Sequence, residues 1–176
     1  MDTTSKTFLS VPLQRLAEDV AKLLKEKGAT VSVVESAAGG IISASLLAIT
    51  GASAYHRGGL TLYSLQSRIA YSGWTEADVA TYKGPTKDNV GQMAKHVRAQ
   101  MKSSYTLGES GYAGPTGIGS SPNRQPGFVA LAVASEEGTY GRELNTGSSD
   151  RAENMLLFAG EALKLLKDVL MGNAKL

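Results

Sequence analysis

The sequence predicts an α/β fold: a three-layer α/β/α sandwich with a mixed, mostly parallel sheet. Short β-branched runs alternate with segments of helical periodicity along most of the chain, as in sheets covered by helices on both faces. A late strand at 128–135 has a possible hairpin partner at 139–146, which adds antiparallel pairing. The length of 176 residues, without repeats or a linker, predicts one domain over residues 1–176.

The first half of the chain alternates helix and strand. Apolar residues recur at helical spacing through 12–27, and Gly28 stands where a helix C-terminal glycine belongs. The run TVSVV at 30–34 predicts a short buried strand, and 39–49 predicts a helix. LTLY at 60–63 predicts the next strand.

Hydroxyl residues mark the helix starts in the middle of the chain. After a short predicted helix at 64–71, Thr75 precedes acidic residues, which is typical of a capped start. Thr86 stands in the same position before a predicted helix at 87–102.

The last third predicts strands and then one long helix. A strand at about 105–113 leads into a long loop rich in glycine and proline. FVALAVAS at 128–135 is the most strand-like segment, and Asp150 opens an amphipathic helix that continues to about Met171.

Composition argues against several classes of function. A net charge of +2, with no block of lysines or arginines, does not indicate nucleic-acid binding. The chain has no cysteine and only two separated histidines, so we expect no thiolate site and no metal or other cofactor. No apolar window reaches the ~18 residues that a membrane-spanning helix needs. We therefore expect a cytoplasmic protein with no membrane partner.

Two glycine-rich segments follow predicted strands. They are ESAAGG at 35–40 and GYAGPTG at 111–117. Ligands of open α/β sheets bind beyond the carboxyl ends of strands, and the free amides of a helix N-terminus favour anions. Either segment is thus a candidate phosphate site or an ordinary turn, and both together favour a phosphorylated small molecule.

Four motifs in one order resemble the C-terminal domain of the competence/damage-inducible protein CinA. They are ESAAGG, GASAYHRGGLTLYS, GYAGPTG and GSSDRAEN, and the resemblance covers about residues 10–170. This family includes the stand-alone nicotinamide mononucleotide amidohydrolases. The resemblance implies the same α/β fold, a small-molecule nucleotide ligand and a homo-oligomer, at least a dimer.

The resemblance also implies roles for individual residues. Ser53 matches the serine taken as the family's nucleophile, Tyr63 matches an assisting tyrosine, and Arg68 stands where the family has an assisting lysine. The expected substrate contacts are Glu35, Ser36, Gly39, Gly40, Tyr55, Gly58, Gly59, Gly111, Ala113, Gly114 and Arg151. In this reading Ser36 contacts the ligand and is not the nucleophile, and amides near Gly58 and Gly59 bind the oxyanion.

Arg68 leaves two functions open. Arginine is effectively never deprotonated in proteins, so it cannot accept the proton of a serine hydroxyl. The chain is therefore either an amidase acting on the carboxamide of nicotinamide mononucleotide or a related pyridine nucleotide, or a catalytically impaired or inactive nucleotide-binding module. Ala38, where the family usually has threonine, also removes a hydroxyl that could meet a phosphate.

For several of these residues a structural role is the simpler alternative to a role in the site. Ser53 would otherwise be an ordinary loop serine, and Tyr55 would pack in the core. Glu35 either contacts the ligand or pairs with an arginine or backbone amides, because an unpaired buried carboxylate is costly. Arg151 and Arg124 are candidate phosphate contacts, with surface charge as the alternative, which we favour slightly for Arg124.

Overall fold

The computed structural model describes residues 8–176 and contains six α-helices and five β-strands in that range. The elements are, in chain order, α1 (Val11–Glu26), β1 (Val31–Glu35), α2 (Ile41–Leu47), β2 (His56–Thr61), α3 (Leu65–Tyr71), α4 (Glu76–Thr81), α5 (Lys87–Met101), β3 (Tyr105–Gly111), β4 (Phe128–Ala134), β5 (Thr139–Asn145) and α6 (Arg151–Leu170). Short 3₁₀ turns cover Ala52–Ala54 and Pro122–Arg124. Among the described helices none is long and apolar enough to cross a membrane.

The five strands form one mixed sheet in the order β2-β1-β3-β4-β5. β1 pairs with β2 and β3 in parallel, while β4 pairs with β3 and β5 in antiparallel fashion. Four strands therefore run in one direction and only β4 runs against them. This confirms the predicted mixed, mostly parallel sheet and the hairpin of its last two strands.

Helices cover both faces of the sheet, as predicted for three layers. On one face α1, α2 and α6 pack with residues such as Val33, Leu107 and Leu131 around one apolar cluster. On the other face α5 packs across the strands, and a smaller apolar cluster includes Val34 and Trp74. Because successive side chains of a strand point to opposite faces, neighbouring residues of β1 enter different clusters.

The predicted elements match the structure except at β2. Both expected capping threonines act as N-caps: Thr75 accepts from the Asp78 amide and Thr86 from the Asn89 amide. β2, however, begins at His56, four residues before the predicted start. Its glycine-rich start has weak strand preference by itself, and pairing with the fully buried β1 supplies the order.

The sheet has one edge suited to ligand binding. β1 and β3 lie side by side and point the same way, so their carboxyl ends meet at one edge with the loop after β2. Crossovers on opposite faces leave a crevice at such a position. The amino ends of these strands, with the 3₁₀ turn that precedes β2, lie at the opposite edge.

Candidate functional site

A cleft of about 520 Å³ opens beyond the carboxyl ends of β1 and β3. It is lined by Ser36, Ala37, Tyr63, Leu65, Arg68, Val79, Tyr82, Ser110, Gly111, Tyr112, Ala113, Gly114, Thr116, Ile118, Arg124 and Arg151. These residues include three arginines, three tyrosines and no carboxylate. The lining therefore favours a ligand that carries negative charge and a planar or apolar group.

The centre of the cleft is an arginine bound to two serines. One nitrogen of Arg68, Nη2, donates to the Oγ of Ser36 at 3.1 Å and to the Oγ of Ser110 at 2.9 Å. The two serines occupy equivalent positions on neighbouring strands. Val34 of β1 pairs with Gly108 of β3, and each serine lies two residues after its member of that pair. The parallel register thus fixes both hydroxyls on the same face of the sheet.

Arg68 is a buried cation with no carboxylate at ion-pair distance among the described residues, although Glu109 attracts it from farther away. Its side chain stacks near the rings of Trp74 and Tyr82, at 5.2 and 5.5 Å, and only 4% of the residue is exposed. None of the ion pairs among residues 8–176 includes it, and its Nε has no hydrogen-bond partner. Because buried charges are normally paired, a negative group in the cleft would be favourable here.

Two further arginines frame the cleft. Arg151, at the start of α6, donates to the carbonyl of Gly114 at 3.0 Å and to the hydroxyl of Tyr63 at 3.1 Å. Arg124 donates to the carbonyl of Tyr82 at 2.8 Å, and its Nε is buried without a partner. Neither arginine is in an ion pair among the described residues, so both can receive a phosphate.

Two buried carboxylates bind backbone amides of the ESAAGG turn and of the start of α2, which follows it. Glu109 on β3 accepts from the backbone N–H groups of Ser36 at 2.9 Å and Ala38 at 3.0 Å. Glu35 accepts from the N–H groups of Ile42 at 3.1 Å and Ser43 at 3.0 Å, at the start of α2. The sequence-based phosphate cradle in this turn is therefore not formed, because internal carboxylates satisfy these amides.

Glu35, Gly39 and Gly40 consequently do not line the cleft. For Glu35 the simpler alternative applies, with backbone amides as its partners. The two glycines supply backbone conformation, with φ of 68° and 101°, which lets the chain turn sharply from β1 into α2.

Glu109 titrates near neutral pH. Burial raises its pKa from the ordinary 4.5 to about 7; the charge of Glu35 adds to this increase, while the two amides and Arg68 oppose it. Its second oxygen, Oε1, is buried without a partner, which also favours a proton.

We expect the pH dependence of stability to report Glu109. Its pKa is higher in the folded state, so its stabilising effect is complete below pH 4.5 and is lost as the pH rises through about 7. The change over this window is about 3 kcal/mol of unfolding free energy. Urea unfolding of wild type and Glu109→Gln between pH 4.5 and 8 measures it: the difference between the two should change by that amount. Parallel curves, as expected for the exposed control Glu136→Gln, would contradict the assignment.

Ser53 does not meet Tyr63 and Arg68 in this structure. It is exposed on the 3₁₀ turn before β2, whereas Tyr63 follows the end of that strand. The six residues of β2 span roughly 20 Å at about 3.3 Å per residue. The three residues predicted to act together are therefore divided, with Tyr63 and Arg68 in the cleft and Ser53 at the opposite edge of the sheet.

Tyr55, Gly58 and Gly59 also lie away from the cleft. Tyr55 is 1% exposed in the core, so the core-packing alternative applies. Gly59 lies against the side chain of Ser43, and a Cβ there would stand 2.4 Å from its Oγ. These glycines permit close packing of β2, and neither lines the cleft.

Tyr55 leads to a prediction that separates stability from binding. Its hydroxyl donates to the carbonyl of Leu46 at 2.6 Å. Tyr55→Phe should lower the unfolding free energy by about 1 kcal/mol through loss of this bond and leave ligand affinity unchanged. Urea unfolding and calorimetry test this, with the exposed Tyr71→Phe as a control expected to change neither. A loss of affinity in Tyr55→Phe alone would return this residue to the site.

The structure adds residues that the sequence analysis did not place in the site. Tyr82 and Ser110 line the cleft, and Glu109 binds the amides of the turn that carries Ser36. Arg124, a candidate phosphate contact for which surface charge was slightly favoured, also lines the cleft. The segment ESG at 109–111 repeats the Glu-Ser order of 35–36 at the end of a parallel strand. That repetition is a sequence signal for paired serines, although only the strand register shows that they face each other.

Comparison with known proteins gives relatives over most of the chain. The family profile described as the CinA C-terminal domain matches residues 13–170. CinA-like proteins of Shewanella woodyi and Shewanella halifaxensis are 34% and 33% identical over 159 residues, which is 90% of this chain. The matched region is 37% of the length of these relatives, so the chain spans little more than a third of each.

Solved structures share the fold over nearly the full length. The competence/damage inducible protein CihA from Agrobacterium tumefaciens has a TM-score of 0.85 and 25% identity, and the match covers 94% of this chain and 99% of that one. A CinA superfamily protein from Enterobacter cloacae has a TM-score of 0.82 and 22% identity, with coverage of 97% and 99%. From the profile match and the conserved architecture, the chain belongs to the CinA C-terminal domain family.

Proposed function

We propose that this chain is an amidohydrolase that binds nicotinamide mononucleotide, or a related pyridine nucleotide, and converts its carboxamide to the acid and ammonia. Membership of the CinA family supports the class of protein. The observation that carries the proposal is the Ser36 hydroxyl, hydrogen-bonded to a cation inside a cleft with three arginines, three tyrosines and no carboxylate.

The lining suits each part of such a ligand. Arg124 and Arg151 have no ion-pair partner among residues 8–176 and would take the phosphate. Tyr82 and Tyr112 offer aromatic faces to a pyridine ring, and apolar side chains such as Ile118 stand beside them. The carboxamide would then face Ser36.

Ser36, and not Ser53, is the nucleophile in this proposal. Its Oγ attacks the carboxamide carbon, ammonia leaves, and water hydrolyses the resulting ester to release the acid. The hydroxyl proton has to reach the leaving nitrogen so that ammonia can depart, and we assign this relay to Tyr63, which lines the same cleft. Arg68 donates to Ser36 Oγ and stabilises negative charge there, but it cannot take the proton.

A second candidate function is nucleotide binding without hydrolysis. The observation that favours it is Arg68: the one polar partner of the Ser36 hydroxyl in the described structure is a donor that does not titrate. The binding site would be the same in both candidates, and only the turnover would differ.

Two measurements separate these candidates. Calorimetry with nicotinamide mononucleotide should show binding that weakens when Arg151 is replaced by alanine, and a coupled assay should detect ammonia. Binding without ammonia would select the second candidate. The absence of binding, with a folded protein by circular dichroism, would contradict both.

We further propose that this activity takes place in the cytoplasm in a homo-oligomer. The absence of cysteine fits a reducing compartment. Cell fractionation and light scattering of the purified chain test the two statements separately.

A further inference from the structure

Arg68, the cation beside Ser36, would bind a carboxamide and a carboxylate differently. A carboxamide has one carbonyl acceptor and an NH₂ group that only donates, whereas a carboxylate has two acceptor oxygens and a charge. Guanidinium presents donors and no acceptor. An NH₂ group turned towards Arg68 would therefore oppose donor to donor.

A carboxamide placed for attack by Ser36 would lie next to Arg68. Arg68 Nη2 lies 3.1 Å from the Ser36 Oγ, so a carboxamide carbon placed for attack at Ser36 has its substituents within reach of the guanidinium. The same nitrogen bonds Ser110, while Nη1 contacts only the Tyr82 hydroxyl at 3.4 Å and Nε has no partner. Arg68 thus has unused donors on Nη1 and Nε, in the same guanidinium group as the nitrogen that binds the two serines.

The surroundings strengthen the attraction to an anion. Arg68 is 4% exposed and lies near two adjoining aromatic rings, where charge–charge attraction is screened less than in water. No carboxylate lines the cleft, and Arg124 and Arg151 add positive charge. Glu109 lies behind the serines with its carboxylate bound to two amides of the turn.

We propose that Arg68 makes the cleft selective for carboxylates, so that it binds the pyridine carboxylate nucleotide more tightly than the carboxamide nucleotide. The inference rests on the proposed site, but it requires only binding and no turnover. If the chain hydrolyses the amide, the acid product is then a strong inhibitor. If it does not, the protein is a receptor for the acid.

Calorimetry with nicotinic acid mononucleotide and nicotinamide mononucleotide tests the proposal on the whole chain. Wild type should bind the acid at least about tenfold more tightly, as expected when a charge-assisted pair replaces a neutral one. Arg68→Gln, neutral and also a donor, should abolish this preference, whereas Arg124→Gln should weaken both ligands about equally. Equal affinity of wild type for the two ligands would overturn the proposal.

A second variant and a second outcome keep this test separate from failure to fold and from failure of the amidase proposal. If Arg68→Gln does not fold by circular dichroism, Arg68→Lys replaces it at a pH low enough to keep the new amine protonated. Its ammonium cannot bind a carboxylate bidentately, so the preference should shrink, and an unchanged preference would refute the role of Arg68. Ammonia release with equal affinity for acid and amide would leave the amidase proposal standing and reject this inference alone.

Discussion

Replacing Ser36 by alanine should reduce ammonia release from nicotinamide mononucleotide by at least about a hundredfold. The nucleophile is part of a unit with its neighbours, and its loss in serine hydrolases removes most of the catalytic effect. The affinity for the nucleotide should change less than about threefold, because Ser36 contributes one hydroxyl to a cleft with many other contacts. Ammonia release under saturating substrate and calorimetry measure the two effects.

Ser53→Ala is the matched control for this experiment. Ser53 is exposed on a 3₁₀ turn at the other edge of the sheet, so its replacement should leave the rate within about twofold. Ser110→Ala is a second control. Ser110 also accepts a hydrogen bond from Arg68, so this variant shows the effect of removing a hydroxyl partner of Arg68 other than Ser36. A large loss in Ser53→Ala with normal activity in Ser36→Ala would reverse our assignment and restore the role that the sequence resemblance implied.

Replacing Arg68 by lysine should raise the rate of hydrolysis by at least about tenfold. A lysine buried beside aromatic rings can lose its proton and act as the base for Ser36, and general bases contribute about 10²–10⁴-fold. The rate should increase with pH as the new amine deprotonates, whereas the guanidinium of wild-type Arg68 does not titrate. A pH profile of the rate provides the measurement.

Arg124→Lys controls for a general effect of arginine replacement in the cleft. It makes the same arginine-to-lysine change at a position that does not contact Ser36, and it should not raise the rate of hydrolysis. If Arg68→Lys folds but is no faster than wild type, the missing base is not what limits the reaction. The assignment of the limiting step to Arg68 would then be wrong.

The fold was accessible from sequence because its signals are local. Capping at Thr75 and Thr86, and the apolar run of β4, depend on neighbouring residues. The start of β2 was missed because it depends on pairing with β1 and not on its own composition.

The site was only partly accessible, because it depends on register and on long-range partners. Tyr63, Arg68, Arg151 and Ser36, which the motifs single out, line one cleft, and the roles given to them stay predictions. Sequence spacing alone did not show that β2 separates Ser53 from this cleft. Glu109 was missed as well, because its two amide partners are more than seventy positions away in sequence.

The proposed reaction requires the carboxamide of a bound nucleotide to lie next to Ser36. A crystal structure of the chain with nicotinamide mononucleotide should show the carboxamide within hydrogen-bond distance of Ser36 and Arg68. The phosphate should contact Arg124 or Arg151, beyond the carboxyl ends of β1 and β3. A nucleotide bound instead at Ser53, or against Gly58 and Gly59 at the middle of β2, would contradict the account.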